Sequence, residues 1–222
     1  MWQKLTEDLA GRNFVVLAVA FDEPEAARPW IEAASPTYPC LIDRDHAVAE
    51  LYHMVNVPQA AWIDESGQFV RPPENAGQSD AFRKMDRATG QMTAAQIEAR
   101  VQTKSVYVEA VRDWVLKGSK SEHAFDATAS RAHLRLPNAG AAEAHVHFRL
   151  AQHLKLAGKV QEAAVHFTEA SRLHPQSWTI FRQAAPKVAS GTASGADFWA
   201  RVEALGDAAY HLPIDMKGMP ER

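Results

Sequence analysis

The sequence predicts a mixed α/β domain at the start of the chain and a helical region after it. Residues 14–20 form a continuous apolar run rich in β-branched side chains, which is typical of a strand buried on both faces of a largely parallel sheet. A turn ending in Gly67 separates two further runs, residues 60–63 and 68–71, and this arrangement predicts an antiparallel hairpin. From residue 93 onward, apolar side chains recur at helical spacing.

Length and composition indicate a folded globular chain with room for one large domain or two small ones. Of the 222 residues, 46% are hydrophobic and 23% are charged, which does not fit disordered or coiled-coil proteins. A net charge of −3 provides no electrostatic signature of a nucleic-acid or membrane-surface partner. The longest apolar run is far shorter than the ~20 residues needed to span a bilayer. We therefore expect a cytoplasmic protein, unless a signal or anchor precedes Met1.

The regular structure of the first part is expected to end at two consecutive prolines. Pro72 and Pro73 have no amide hydrogens to donate to a sheet, so they place a domain boundary between residues 72 and 92. The sequence thus predicts two domains, residues 1–78 and 92–222. The spacing of apolar residues and the helix-capping residues predict four further elements in the first part of the chain. These are the end of a helix at 2–9, a helix at 24–34, a strand at 40–42 and a short helix at 48–52.

The helical region begins with a clear start signal. Thr93 followed by Gln96 is a capping box, and the helix is expected to end at Gly118. The buried stripe of this helix is predicted to consist of Ile97, Val101, Val108, Val111 and Val115.

Residues 144–176 resemble one tetratricopeptide unit, a pair of antiparallel helices about 34 residues long. Gly158 would open the turn between the helices, and Pro175 would stop the second one. We prefer a structural helical hairpin to a peptide-binding repeat array, because a single unit cannot bury its own apolar face. The packing residues expected from this resemblance are Leu150, Leu154, Ala163, Phe167 and Ala170.

The first part of the chain carries a second resemblance. The residues on which this resemblance rests are the segment 38–43, a short helix containing Tyr52, the pair Val57 and Pro58 directly before a strand, and the Trp62–Gly67 hairpin segment. In this order they resemble the thioredoxin-like redoxins, in particular the TlpA/ResA-like and peroxiredoxin-like proteins. The resemblance implies a thioredoxin-like mixed sheet with flanking helices, followed here by the all-α tetratricopeptide-like region.

The same resemblance implies a substrate-binding loop at Val57 and Pro58. Pro58 would follow a cis peptide bond, and Val57 would offer its backbone to an extended substrate; an ordinary trans proline is the alternative. Redoxins attack a protein disulfide or a peroxide with a low-pKa cysteine or selenocysteine, and no cofactor is implied.

One departure from the redoxin pattern affects the expected activity. Redoxins have a strand and a Trp-Cys-x-x-Cys loop before the helix that residues 2–9 resemble, and this sequence has neither. The lost strand would lie between residues 14–20 and 60–63 in the family's sheet. We therefore hypothesise an N-terminally truncated form of a longer redox protein, inactive as the chain stands.

Two alternatives stay open. The chain could be a non-enzymatic scaffold, in which a redox-dead thioredoxin-like domain and the helical region hold a protein partner. A third hypothesis is a homodimer formed through exposed strand edges.

Cys40 is the single cysteine of the chain, which excludes an internal disulfide and a thiolate-rich zinc site. Its neighbours, Pro39 and Leu41, carry no charge, so we expect a small buried hydrophobic residue rather than a reactive thiol.

The other polar candidates are expected to be structural. Asp22, Asp43 and Asp45 follow strand ends and are interpreted as helix caps rather than ligands. Arg71 and Glu74 could line a cleft beside Pro58, but a solvated pair of little energetic value is the preferred interpretation.

The ten histidines do not predict a metal site. The densest group is His145 and His147 with His153 or His166, and the sequence contains no HExxH motif. Because residues i and i+2 point to different sides of a helix, we expect this group to bind no metal.

Overall fold

The computed structural model describes residues 1–220, which form a mixed α/β structure that is about half helical. The helices are α1 (Trp2–Asp8), α2 (Pro24–Ala34), α3 (Ala47–Leu51), α4 (Ala94–Lys117), α5 (Ala127–His133), α6 (Ala139–Leu156), α7 (Val160–Leu173), α8 (Trp178–Ala184) and α9 (Ala196–Glu203). The strands are β1 (Ala18–Ala20), β2 (Cys40–Ile42), β3 (Gln59–Ile63) and β4 (Phe69–Asn75), and short 3-10 helices cover Asp80–Lys84 and Gly118–Lys120. None of the helices described is long and apolar enough to cross a membrane.

The strands form two small sheets rather than one. β1 and β2 pair in parallel, with Val19 opposite Leu41, whereas β3 and β4 form the expected antiparallel hairpin. Within residues 1–220 no ladder joins one sheet to the other. The expectation of a single mixed sheet is therefore wrong for the described residues, although both kinds of strand pairing are present.

The apolar run at residues 14–20 is not an interior strand. Regular strand structure is limited to Ala18–Ala20, and the side chains of Val15 and Leu17 are 62% and 58% exposed. The prediction is wrong because, in the part of the chain that the structure describes, β1 has a ladder partner on one side only. A continuous apolar run indicates strand propensity, but it does not specify how many neighbouring strands the fold provides.

Strand β4 continues through the two prolines that were expected to end it. Its register shifts between the pairs Ala60–Glu74 and Trp62–Arg71, so three steps along β4 match two steps along β3. This irregularity places an extra residue in β4, and a bulge tolerates a proline that cannot donate to the ladder.

By internal contacts the described chain divides into two compact units. Unit 1 contains Met1–Val16, Pro58–Leu134 and the residues from Leu205 onward; unit 2 contains Leu17–Val57 and Arg135–Ala204. Each unit draws on both predicted domains, residues 1–78 and 92–222, so that division stays a prediction.

The core of unit 1 is built around the aromatic side chains of Trp62 and Tyr107. The Trp62 indole Nε1–H donates to the Tyr107 hydroxyl over 2.9 Å, and Trp114 stacks on Trp62 with ring centroids 5.2 Å apart. Burial raises the pKa of Tyr107 well above its ordinary value. The surrounding core side chains are Leu5, Leu9, Ala76, Ala110, Val111 and Met216.

Helix α4 starts and ends as predicted, but only part of its predicted buried face packs on the core. The capping box of Thr93 and Gln96 is present, and the helix ends at Gly118. The predicted stripe is right only in its second half: Val111 is buried and Val108 and Val115 pack against the core, whereas Ile97 and Val101 are 50% and 61% exposed. Besides Val111, the buried positions of α4 are Thr103, Tyr107 and Ala110.

The core of unit 2 lies between α6 and α7. Phe148 and Phe167 meet edge to face with centroids 5.8 Å apart, and small alanines bring the helices together around them. Gly158 adopts a positive φ of 76° directly before α7. The sequence predicts that Leu150 packs in this core, but Leu150 is 41% exposed. Phe148 makes the contact with Phe167 in its place. The buried residues of this core are Ala144, Phe148, Ala151, Ala163, Phe167, Ala170 and Ile180.

One titratable side chain, His46, is buried against this core. It is 4% exposed, and its ring lies 5.3 Å from that of Phe21 and 4.9 Å from that of Phe148. Its Nε2 has no hydrogen-bond partner. Burial lowers the pKa of His46 to about 4, against the opposing attraction of Asp43. The neutral imidazole is therefore the form that fits this position.

We expect His46 to make the chain lose stability in mild acid. The folded-state pKa is depressed from 6.5 to about 4, so the unfolded chain binds a proton in this window and the folded chain does not. Unfolding free energy should fall by about 3 kcal/mol from this group as the pH drops from neutral to 4, at ~1.36 kcal/mol per pKa unit. Replacing His46 with Asn, which tolerates the positive φ of this position, should remove that part of the pH dependence.

Urea unfolding at several pH values measures this effect. His153→Asn, at an exposed position of α6, is the matched control and should keep the wild-type pH dependence. Identical pH profiles for the wild type and the His46 variant would show that His46 is not the sensitive group.

Candidate functional site

Cys40 begins strand β2 and is partly exposed, so the expectation of a buried residue is met only in part. Its Sγ lies 3.7 Å from the carbonyl oxygen of Tyr38, to which the thiol donates. Burial, with a smaller effect of Cys40, raises the pKa of Tyr38. Cys40 lies in a strand and not at a helix N-terminus, the position that favours a reactive thiolate.

Val57 and Pro58, the predicted substrate-binding pair, are consecutive exposed residues. The amide of Val57 donates to the side-chain Oδ1 of Asn56 over 2.9 Å. The carbonyl oxygen of Pro58 accepts a hydrogen bond from the amide of Ala76 at 3.2 Å. An extended substrate that paired with the Val57 amide would have to replace Asn56, and the binding role of this pair stays a prediction.

The three aspartates that follow strand ends have different environments. Asp43 caps α3 as predicted: its carboxylate accepts hydrogen bonds from the amides of Ala47, Val48 and Ala49 at 2.8, 2.8 and 3.2 Å. The interpretation of Asp22 and Asp45 as helix caps is wrong: within the described residues Asp22 accepts from the neighbouring amide of Glu23, and Asp45 lies 3.5 Å from Arg44 in an exposed ion pair.

Arg71 and Glu74 form a buried ion pair, so their interpretation as a solvated pair is wrong. The Arg71 side chain is 1% exposed, and that of Glu74 is 16% exposed. Arg71 Nε and Nη2 donate to the two carboxylate oxygens of Glu74 over 2.6 and 3.0 Å. Burial raises the pKa of Glu74, although the hydrogen bonds from Arg71 act in the opposite direction.

The remaining donors of Arg71 bind two backbone carbonyls far away in sequence. Nη1 donates to the carbonyl oxygen of His123 at 2.8 Å, and Nη2 donates to that of Asp215 at 2.6 Å. The guanidinium carbon also lies 4.1 Å from the centre of the Phe125 ring. Because protein acceptors surround the guanidinium, this cluster acts as a structural clamp and not as a cleft for an anionic ligand.

The Arg71 cluster continues into a partly exposed histidine. His133 Nε2 lies 2.8 Å from the carboxylate of Asp215, and its Nδ1 lies 2.8 Å from the carbonyl oxygen of Ala129. The hydrogen bond to Ala129, and to a smaller extent the contact with Asp215, raises the pKa of His133. The imidazole stacks on Phe125 at 4.1 Å between centroids. Phe125 is thus held between Arg71 and His133.

Two members of the dense histidine group meet in the structure. His147 on α6 and His166 on α7 bring their Nδ1 atoms to 2.8 Å. His145, two residues before His147, instead lies near His174, with 6.3 Å between ring centroids, and burial lowers the pKa of both. The expectation that i and i+2 histidines diverge is therefore confirmed. No group of three or more metal-ligating side chains occurs within the described residues.

The pairing of His147 and His166 was not singled out from the sequence, although a signal was present. Each histidine directly precedes one of the two core phenylalanines, Phe148 and Phe167. Since those phenylalanines face each other across the helical hairpin, their preceding residues are brought to the same edge of it.

Comparison with known proteins gives one match. Residues 1–71 match the model of the AhpC/TSA family, and this segment contains Cys40, Val57 and Pro58. No curated protein and no solved structure matches the chain significantly. The first third of the chain is therefore similar to the AhpC/TSA family of thioredoxin-like redoxins.

Proposed function

We propose that this chain is a thioredoxin-like protein of the thiol-disulfide oxidoreductase and peroxide-reducing group whose own thiol performs no redox catalysis. The AhpC/TSA match over residues 1–71 supports the group. Within it, the TlpA/ResA-like and peroxiredoxin-like proteins are the proposed relatives. The tetratricopeptide-like identity of the hairpin formed by α6 and α7 is part of the same proposal.

The environment of Cys40 is the observation that carries the catalytic part of the proposal. Peroxide and disulfide reduction both start from a thiolate, which a helix N-terminus or a cationic neighbour stabilises. Cys40 lies in a strand, and its Sγ contacts a carbonyl oxygen, an acceptor for a protonated thiol. Among residues 1–220 no cationic side chain is recorded as its partner. A second thiol to resolve an oxidised Cys40 is absent from the 222-residue sequence.

A protein disulfide or a peroxide is the proposed ligand class for the exposed backbone at Val57 and Pro58. An extended peptide could pair with the Val57 amide in exchange for the side chain of Asn56. The cis geometry that redoxins have at this proline is part of the proposal.

We expect the purified chain to show no thiol-dependent activity. Hydrogen peroxide consumption and insulin reduction, each with dithiothreitol as the reductant, should proceed at the rate of the protein-free blank. Cys40→Ser is the matched control and should give the same rates as the wild type. A wild-type rate above the blank that the Cys40 variant loses would contradict the proposal, because it would assign a catalytic thiol to β2.

A second candidate function is non-enzymatic binding of a protein partner, and the exposed apolar surface of β2 favours it. Leu41 and Ile42 are 50% and 37% exposed, and β2 has one ladder partner within the described residues. Edge strands with apolar side chains promote pairing between chains. The partner that this surface fits most simply is a second copy of the same chain.

Light scattering over a range of protein concentrations tests the homodimer. The wild type should approach twice the monomer mass as concentration rises, and Leu41→Lys should shift it toward the monomer, because a charge on an edge strand opposes pairing. Leu156→Lys, at a 65% exposed apolar position of α6, should leave the association unchanged. A mass that stays monomeric at all concentrations would remove this candidate.

A further inference from the structure

The histidine pair on the helical hairpin is a cluster that the proposed redox family does not use. His147 and His166 project from α6 and α7, whose packing is fixed by the phenylalanine and alanine core described above. Their Nδ1 atoms are 2.8 Å apart, and their rings are tilted by 37° with centroids separated by 5.1 Å. The scaffold thus brings two imidazole nitrogens to one point from two rigid elements.

We propose that His147 and His166 form a binding site for a borderline divalent transition metal, with Cu²⁺ as the preferred ion. Neutral imidazole nitrogen is a common ligand for copper, nickel and zinc. In the metal-free pair one Nδ1 donates its hydrogen to the other. On binding, the hydrogen of the donor ring moves from Nδ1 to Nε2 by exchange with solvent, so that each ring stays neutral and both Nδ1 lone pairs are free for the ion.

The separation of the nitrogens is compatible with neighbouring positions on a square-planar ion, once each ring has turned its lone pair toward that ion. With metal–nitrogen bonds of about 2.0 Å, a nitrogen separation of 2.8 Å corresponds to an angle at the metal of about 90°. Right-angled nitrogen ligands are typical of Cu²⁺ and Ni²⁺, and Cu²⁺ ranks highest in the general order of divalent affinities.

The surroundings of the pair leave space for a cation. The two histidines lie at an open surface depression that is lined also by Thr168 and Glu169. This space allows each imidazole to rotate until its lone pair points at the ion. Glu169 keeps both carboxylate oxygens on Arg172, at 2.8 and 2.6 Å, so Arg172 offsets its charge and it is not a ligand of the site.

The site therefore offers two protein ligands and open positions for water or for a small exogenous ligand. Two ligands on one rigid hairpin bind the ion as a chelate, because capture by the first histidine places the second within reach. A site of this kind binds and releases its ion readily, in contrast to a closed structural site with four protein ligands.

Copper titration of the full chain tests the proposal. Cu²⁺ is added in a buffer that does not coordinate copper, and affinity is measured by competition with a chelator. We expect His147→Ala and His166→Ala each to weaken the tightest copper site by at least about tenfold, because each removes the chelate. The matched control His153→Ala removes an exposed histidine of the same α6 helix and should change the affinity by less than about twofold.

Two further measurements complete the test. The electron paramagnetic resonance spectrum of the wild type with one equivalent of Cu²⁺ should show two coupled imidazole nitrogens, and Zn²⁺ should bind more weakly than Cu²⁺. If an alanine variant loses its helical circular dichroism, His147→Gln and His166→Gln replace it in the titration. Wild-type copper affinity in folded variants of both histidines, or a spectrum without imidazole nitrogen, would overturn the proposal.

Discussion

The buried ion pair between Arg71 and Glu74 is the interaction on which the rest of unit 1 depends. Removing a guanidinium from water is costly, and the cost is offset only when its donors meet well-placed acceptors. Here the acceptors are the carboxylate of Glu74 and the carbonyl oxygens of His123 and Asp215. The Arg71 side chain therefore requires that strand β4, the segment before α5 and the C-terminal segment stay together.

This requirement gives a physical role to the irregular strand β4. The extra residue at its bulge lets Arg71 and Glu74, three positions apart, join as a bidentate pair, whereas a regular strand would point them to opposite faces. The α5 region completes the arrangement, because the Ser130 hydroxyl donates to the carbonyl oxygen of Phe69 at 2.8 Å.

The position of Arg71 also connects the matched and unmatched parts of the chain. The AhpC/TSA match ends at residue 71, and each recorded hydrogen-bond acceptor of the guanidinium lies beyond it. The hairpin of the redoxin-like segment is thus completed by residues outside the similarity. Cys40 likewise lies within the matched segment, whereas His147 and His166 lie beyond it.

Local signals in the sequence were sufficient for many elements. The capping box at Thr93, the turn at Gly67 and the helical spacing of α6 and α7 depend on neighbouring residues, and the structure confirms these elements. The burial of Arg71 could not be predicted, because its partners are up to 144 residues away.

The predictions of the sheet and of the buried face of α4 were incomplete for related physical reasons. The apolar character of residues 14–20 indicated a strand, but it carried no information on how many strands would pair with it. On α4 a hydrogen-bonded Tyr107 joins Val111 in the core, since its hydroxyl has a partner in Trp62. The histidine group was expected to bind no metal, and the contact between His147 and His166 depends on how two helices pack.

Hydrogen exchange of Arg71→Met tests most directly whether the buried ion pair holds unit 1 together. If Arg71 is the clamp, amides in residues 121–125 and 212–216 should exchange much faster in this variant than in the wild type, while those in the unit 2 helices α6 and α7 should not change. Arg12→Met, at an exposed arginine of unit 1, should behave like the wild type. Unchanged protection of both segments in Arg71→Met would contradict the central role of the pair.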